Sequence, residues 1–206
     1  MNASEWYFDN IFPSPVWRTE TKLATNSLEK LAYSLEKEKP TGRVLSNEGG
    51  WQSWDIFEKD YKELTELKSL ILEQAHRCVI DYGHSPGVGN LEISNFWINI
   101  NRHKESNRVH IHDGAFISGV FYIKAEEDQG RLYFQKNVQE VYILASRPSP
   151  IIELTDISAP EVFYAPKTGR MLMFPGNLPH GVEANFTEKD RISISWNVLY
   201  NKDSNK

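Results

Sequence analysis

The chain has 206 residues, enough to bury a core of its own, and its net charge of −5 argues against a protein that lives on nucleic acid, where a basic face is expected. Its one cysteine, Cys78, cannot form an internal disulfide, which points to a reducing compartment. No apolar run approaches the ~20 residues of a membrane span, and the start of the chain carries no secretory leader pattern, so a soluble cytoplasmic protein is expected. The expected organisation is one domain over 1–206, with an N-terminal arm and helices over 1–90 and a β core over 91–200.

Residues 6–18 are aromatic and apolar but interrupted by Pro13 and Pro15. Proline lacks the donor that a central strand needs, so this segment reads as an edge strand or an extended arm. The arm either caps the body or bridges two copies, and a homodimer stays open. Residues 26–38 read as a helix: Leu28, Leu31, Ala32 and Leu35 recur at helical spacing, Asn26 and Glu29 suit a capping box, and Pro40 follows the end.

Residues 46–54 contain paired glycines between polar residues and two tryptophans. They form either a turn with its aromatics tucked into the core or a loop that covers a site, with Trp51 and Gln52 at its entrance. Residues 60–82 form the longest predicted helix, with Leu64, Leu67, Ile71, Ala75, Cys78 and Tyr82 in one stripe. His76 falls off that stripe and reads as solvated, and Cys78 reads as a small core residue. Glycines and a proline over 83–89 end the helix.

From residue 91 onward short β-rich runs follow one another: 91–101, 115–125, 130–135, 138–144, 151–154, 161–165, 170–175, 180–184 and 190–200. Many short strands without intervening helical patterns mean a barrel or a sandwich. The fold class is therefore mainly β, a core of about eight strands with the two N-terminal helices packed outside it.

Chemistry concentrates around Arg108-Val-His-Ile-His-Asp113. His110 and His112 stand two apart, and on a strand such side chains point to one side, so two imidazoles aim at one point. Neutral imidazole suits zinc, copper, nickel and iron. The apolar strand over 170–175 runs through a Pro-Gly turn to His180. In 191–197, Arg191, Ser193, Ser195 and Asn197 alternate with Ile192, Ile194 and Trp196. Inside a barrel the polar face of such a strand would line the interior, where an arginine beside hydroxyls is a carboxylate-binding device. The charged loop over 102–108 places His103 in solvent or at the site mouth.

A His-x-(acid or His) pair, a distal His and an Arg-x-Ser beyond it resemble the iron(II)/2-oxoglutarate-dependent oxygenases. The resemblance is closer to an uncharacterised subgroup of that superfamily. It is carried by Phe12-Pro13-Ser14-Pro15, Gly49-Gly50-Trp51-Gln52-Ser53, Trp97-Ile98-Asn99, His110-Ile111-His112, Ser118-Gly119-Val120-Phe121-Tyr122, and Phe174-Pro175 before His180. It covers nearly the whole chain and implies a double-stranded β-helix of the jelly-roll or cupin-like kind.

The resemblance further implies Fe(II) as metal, 2-oxoglutarate as cosubstrate and O2 as oxidant. It makes His110 and His180 iron ligands, Arg191 the partner of the distal 2-oxoglutarate carboxylate, and Ser193 a hydrogen-bonding neighbour. Tyr122 would reach the same carboxylate, as in prolyl-hydroxylase-like members, and Asn99 and Asn197 would stand beside the cosubstrate. The superfamily acid is replaced here by His112, so the third ligand is His112 or, through a bulge or turn, Asp113. The implied reaction is hydroxylation of a protein, a peptide or a small molecule, favoured over nucleic acid, with release of succinate and CO2. Two other classes compete: a metal-binding β-barrel without turnover, and a cupin-like metalloenzyme that does not use 2-oxoglutarate.

Overall fold

The structure, a computed structural model, describes residues 7, 9, 11–85, 89–136, 154, 155 and 157–201. In chain order these form β1 (Trp17–Glu20), α1 (Asn26–Glu38), β2 (Asn47–Glu48), β3 (Trp51–Gln52), a 3-10 turn (Lys62–Leu64), α2 (Thr65–Asp81), β4 (Asn90–Asn101) and β5 (Ser106–His110). There follow β6 (Ile117–Lys124), β7 (Leu132–Gln135), β8 (Glu161–Tyr164), β9 (Arg170–Pro175), β10 (His180–Val182) and β11 (Arg191–Asn201). The strand predicted over 138–144, and most of that over 151–154, lie outside the described residues.

Two antiparallel sheets carry the fold, one in the order β1-β9-β6-β11-β4-β3 and the other in the order β2-β5-β10-β7-β8. This is the expected double-stranded β-helix with two N-terminal helices. Alternation along the strands of the larger sheet decides its two faces. Ile192, Ile194, Trp196 and Val198 of β11 are fully buried in one apolar core with Phe96, Ile98 and Ile100 of β4. The helices cover that face: Leu28 and Ala32 of α1 and Leu67, Ile71, Ala75 and Cys78 of α2 belong to the same core. Tyr82 and His76, by contrast, are exposed. The opposite face lies against the smaller sheet, where Val120, Leu132, Phe134, Leu172 and Phe174 form a second cluster.

Three local expectations change. The predicted capping box does not form: the helix begins at Asn26 after Thr25, and Glu29 instead accepts a hydrogen bond from Lys124 Nζ at 2.8 Å. An ion pair to the neighbouring sheet has drawn the capping carboxylate away. Trp51 is not at a site entrance but 6 % exposed in the core, its Nε1 donating to the Lys39 carbonyl at 2.8 Å. Part of the predicted charged loop is strand β5, which pairs with β2 and β10. Among the described residues the N-terminal arm is an edge strand over Trp17–Glu20, paired with β9.

Gly119 of β6 faces Trp196 across the strand pair, and a Cβ there would lie 2.4 Å from the indole ring and 2.9 Å from the Leu172 carbonyl. Neither the buried indole nor the strand backbone can give way. Gly119→Ala is expected to cost about 1–3 kcal/mol, read as a lower urea midpoint with an unchanged slope.

Candidate active site

A cavity of about 400 Å³ opens between the two sheets, and it is lined by alternate residues of β4, β6 and β11 on one side and by β5, β7 and β10 on the other. His110 and His180 face each other in it because β5 and β10 pair in a register that sets their Cα atoms opposite. Their ring centroids are 4.4 Å apart. His112 joins them by a different route from the one expected. Strand β5 ends at His110, so strand alternation does not aim the His112 ring. A turn does: the His112 N–H donates to the Gly176 carbonyl at 2.8 Å, and its own carbonyl accepts the Ala115 N–H at 3.2 Å. A Cβ on residue 176 would lie 2.4 Å from the Ala115 carbonyl and 2.9 Å from that of His112, so only glycine allows this approach.

The three imidazoles offer ligand atoms that all lie within 4.8 Å of one another. Nδ1 of His110 is 2.8 Å from the Arg108 carbonyl, and Nδ1 of His180 is 2.8 Å from the Leu178 carbonyl. A carbonyl only accepts, so both Nδ1 atoms carry hydrogen and both Nε2 lone pairs are left for a metal. Burial lowers the pKa of His110, takes that of His112 down to about 4, and with the neighbouring histidines takes that of His180 down to about 3. All three are neutral near pH 7, the form that binds metal. Asp113 is exposed and does not join the group. Nitrogen donors without a carboxylate fit a borderline transition ion rather than magnesium or calcium.

Arg191 opens β11 at 1 % exposure. Its Nη1 donates to the carbonyls of Gln129 at 2.5 Å, Gly130 at 2.8 Å and Glu183 at 3.3 Å. Its Nη2 is buried and has no partner among the described residues. Gly130 makes the clamp attainable: its φ is +83°, and a Cβ would stand 2.7 Å from Arg191 Nη1. Three carbonyls thus fix a guanidinium while one donor edge is left over, and a buried charge in that state fits an incoming anion.

Ser193 and Tyr122 are paired across β11 and β6, and both line the cavity with Arg191. Burial holds the Tyr122 hydroxyl in its neutral form, with its pKa pushed up to about 12. Asn99 donates to Ser195 Oγ at 3.3 Å and keeps a buried Oδ1 with no partner among the described residues. Asn197 also lines the cavity, but its amide is taken up by Ser118 at 2.8 Å and Asn95 at 3.3 Å. All eight residues singled out from the sequence line this cavity; His103 does not, and pairs with Glu188 at 3.5 Å.

Sequence reasoning missed Ser46, whose Oγ is 3.5 Å from His110 Nε2, as well as Arg43, Asp55 and Asn95. The paired glycines were the one signal that the 46–54 loop is tightly placed. That loop does bring Ser46 and Gln52 to the cavity.

Three imidazoles that could hold a metal ion and a buried arginine thus meet in one cavity of a jelly roll. The family model described as "Putative 2OG-Fe(II) oxygenase" matches residues 95–197, half of the chain and most of the cavity wall, and the chain belongs to this family. Fe(II) is therefore its metal, and 2-oxoglutarate its cosubstrate. No curated protein sequence matches the chain.

Solved structures are similar in fold. A prolyl-4-hydroxylase of Pseudomonas putida is 15 % identical, with 93 % of this chain and 94 % of that chain covered and a TM-score of 0.59. The α-ketoglutarate-dependent carbocyclase SnoK from nogalamycin biosynthesis is 12 % identical, with 92 % and 80 % covered and a TM-score of 0.61. The epimerase SnoN, in complex with Fe3+, α-ketoglutarate and nogalamycin RO, is 12 % identical, with 90 % and 79 % covered and a TM-score of 0.62.

The depressed histidines make a pH prediction. Unfolded histidines take up a proton near 6.5, whereas the folded His112 and His180 resist until about 4 and about 3. The unfolded state then binds more protons throughout that window, so stability falls as pH falls. Metal-free protein is expected to hold full stability above about pH 6.5 and to lose up to about 1.4 kcal/mol per pH unit per histidine below it. Urea melts between about pH 7 and pH 5 should show this slope, and His180→Asn should flatten it.

Proposed function

We propose that His110, His112 and His180 hold the Fe(II) of this oxygenase, and that Arg191 and Ser193 receive the distal carboxylate of 2-oxoglutarate. The observation that carries this reading is a buried guanidinium with a spare donor in the same cavity as three convergent, neutral imidazoles. The bound metal supplies oxygen activation coupled to oxidative decarboxylation of the cosubstrate. One oxygen atom leaves in succinate and the other in the hydroxylated product, with CO2 released. The chain's own residues orient and insulate. Arg191 binds by charge and fork, Tyr122 offers its hydroxyl to the same carboxylate, and Asn99, with Asn197 behind it, borders the cosubstrate. The apolar residues Val120, Leu132 and Phe174 keep bulk water from the cavity.

The substrate is a peptide or a small molecule, because the net charge of −5 suits a polyanion poorly. We place the protein in the cytoplasm on its single cysteine, and read the chain as one domain that forms a homodimer if the N-terminal arm bridges two copies. Among the described residues no helix is long and apolar enough to cross a membrane. A cupin-like barrel that binds metal but not 2-oxoglutarate would leave Arg191 buried for no purpose.

Anaerobic addition of Fe(II) and 2-oxoglutarate to metal-free protein is expected to give a visible metal-to-ligand charge-transfer band. His180→Ala should abolish it. Arg191→Gln should weaken 2-oxoglutarate binding by about 1.5–3 kcal/mol, roughly 10–150-fold. Metal binding without any band would overturn the cosubstrate assignment. The third ligand is tested by chelator competition: His112→Ala should release Fe(II) and His112→Asp should retain it more tightly, while Asp113→Ala should change nothing. Loss of metal in Asp113→Ala instead would reverse the assignment.

A further inference from the structure

Two opposite charges line the same cavity and neither is taken up by the cosubstrate assignment. Arg43 is half-buried there, with its guanidinium 5.2 Å from the centre of the Trp54 ring. No carboxylate pairs with it among the described residues, and its backbone N–H is tied to the Gln52 carbonyl at 2.8 Å. Asp55 lines the cavity as well, at its exposed rim. Its Oδ1 accepts the Phe57 N–H at 2.9 Å and the Phe96 N–H at 3.1 Å, and its Oδ2 accepts Asn95 Nδ2 at 3.1 Å. No cation neutralises it among the described residues. Asn95 is held in turn by Asn197 at 3.3 Å, and Asn197 by Ser118 at 2.8 Å. Gln52, three residues before Asp55 and 5 % exposed, adds a side-chain amide that no described residue takes up.

Arg43 and Asp55 form no ion pair with each other among the described residues. Here the Arg43 guanidinium lies against the Trp54 ring, and backbone donors with an amide ladder hold Asp55. Both charges stay unneutralised on the wall of a site that opens to the metal ligands. Such a preorganised, separated pair matches a ligand that carries both charges itself. Size points the same way, since the cavity of about 400 Å³ must also admit 2-oxoglutarate. The interior of a peptide brings neither charge.

We propose that Arg43 and Asp55 recognise a small zwitterion, a free α-amino acid or a similar amine-carboxylate, with its carboxylate at Arg43 and its ammonium at Asp55. This rests on the oxygenase reading of the site and narrows its substrate class. Arg43, Asp55 and Gln52 are binding residues and the chemistry stays with the histidine cluster.

The test is calorimetric titration of the protein, loaded anaerobically with Fe(II) and 2-oxoglutarate, with each proteinogenic L-amino acid and with its N-acetyl and carboxamide forms. At least one free amino acid is expected to bind and, in air, to raise 2-oxoglutarate consumption. Capping either end should weaken it about tenfold or more, as for loss of one charged hydrogen bond. Arg43→Gln should become indifferent to amidation but stay sensitive to acetylation, and Asp55→Asn should do the reverse. Either crossed pattern separates recognition from mere misfolding. Absence of amino-acid binding, or binding that ignores both caps, overturns the zwitterion site whether or not the charge-transfer band forms. Absence of the band overturns the cosubstrate assignment instead.

Discussion

The two-residue alternation of the larger sheet is the constraint on which the rest depends. Each of β4 and β11 buries one apolar face in the core shared with α1 and α2, the β4 series shifting once at a bulge between Ile93 and Phe96. The other series is then committed to the interior, where Arg191, Ser193, Ser195 and Asn197 face Asn95, Trp97, Asn99 and Asn101. A one-residue slip of either strand would exchange the faces and put the guanidinium among the helices. The helices therefore do more than cover the sheet: by claiming the apolar face they determine that the polar one encloses the site.

Burying polar groups is costly unless they are paired, and the cavity wall follows this rule with a few exceptions. Asn197, Asn95 and Ser118 satisfy one another, and Nη1 of Arg191 meets three carbonyls. The exceptions, Arg191 Nη2 and Asn99 Oδ1, stand where the cosubstrate is assigned. Unpaired donors and acceptors of this kind are tolerated when a ligand completes them. Two further unpartnered atoms, Arg170 Nε and Trp196 Nε1, lie outside the cavity, so it is the meeting of such groups with the three imidazoles that marks the site.

Much of this was legible in the sequence because it follows from short-range periodicity. The alternation in 191–197, the stripe on α2 as far as Cys78 and the Pro-Gly turn before His180 are local patterns, and each is realised, whereas Tyr82 at the end of the predicted stripe is exposed. The departures come from contacts between distant segments. The path of His112 depends on Gly176, some sixty residues on, and nothing in His-x-His reveals that a turn rather than a strand aims the second ring. Glu29 leaves its capping role for Lys124 on another element. Arg43 and Asp55 belong to no periodic pattern, and their place on the cavity wall follows from the short pairings of β2 with β5 and of β3 with β4.

In the proposed centre His112 stands where the superfamily has an acid, and the charge balance changes with it. A divalent ion held by neutral imidazoles keeps its whole charge, where a carboxylate ligand would remove half of it. On the proposed assignment one carboxylate of 2-oxoglutarate does what the protein does not and Arg191 takes the other, which would make metal retention and cosubstrate binding reinforce each other more strongly than with an acidic ligand. A positive charge is still in excess at the metal after the cosubstrate has bound. In the proposed centre that excess favours a substrate with a carboxylate of its own, with Arg43 in the same wall to orient it and Asp55 left to meet a positive group.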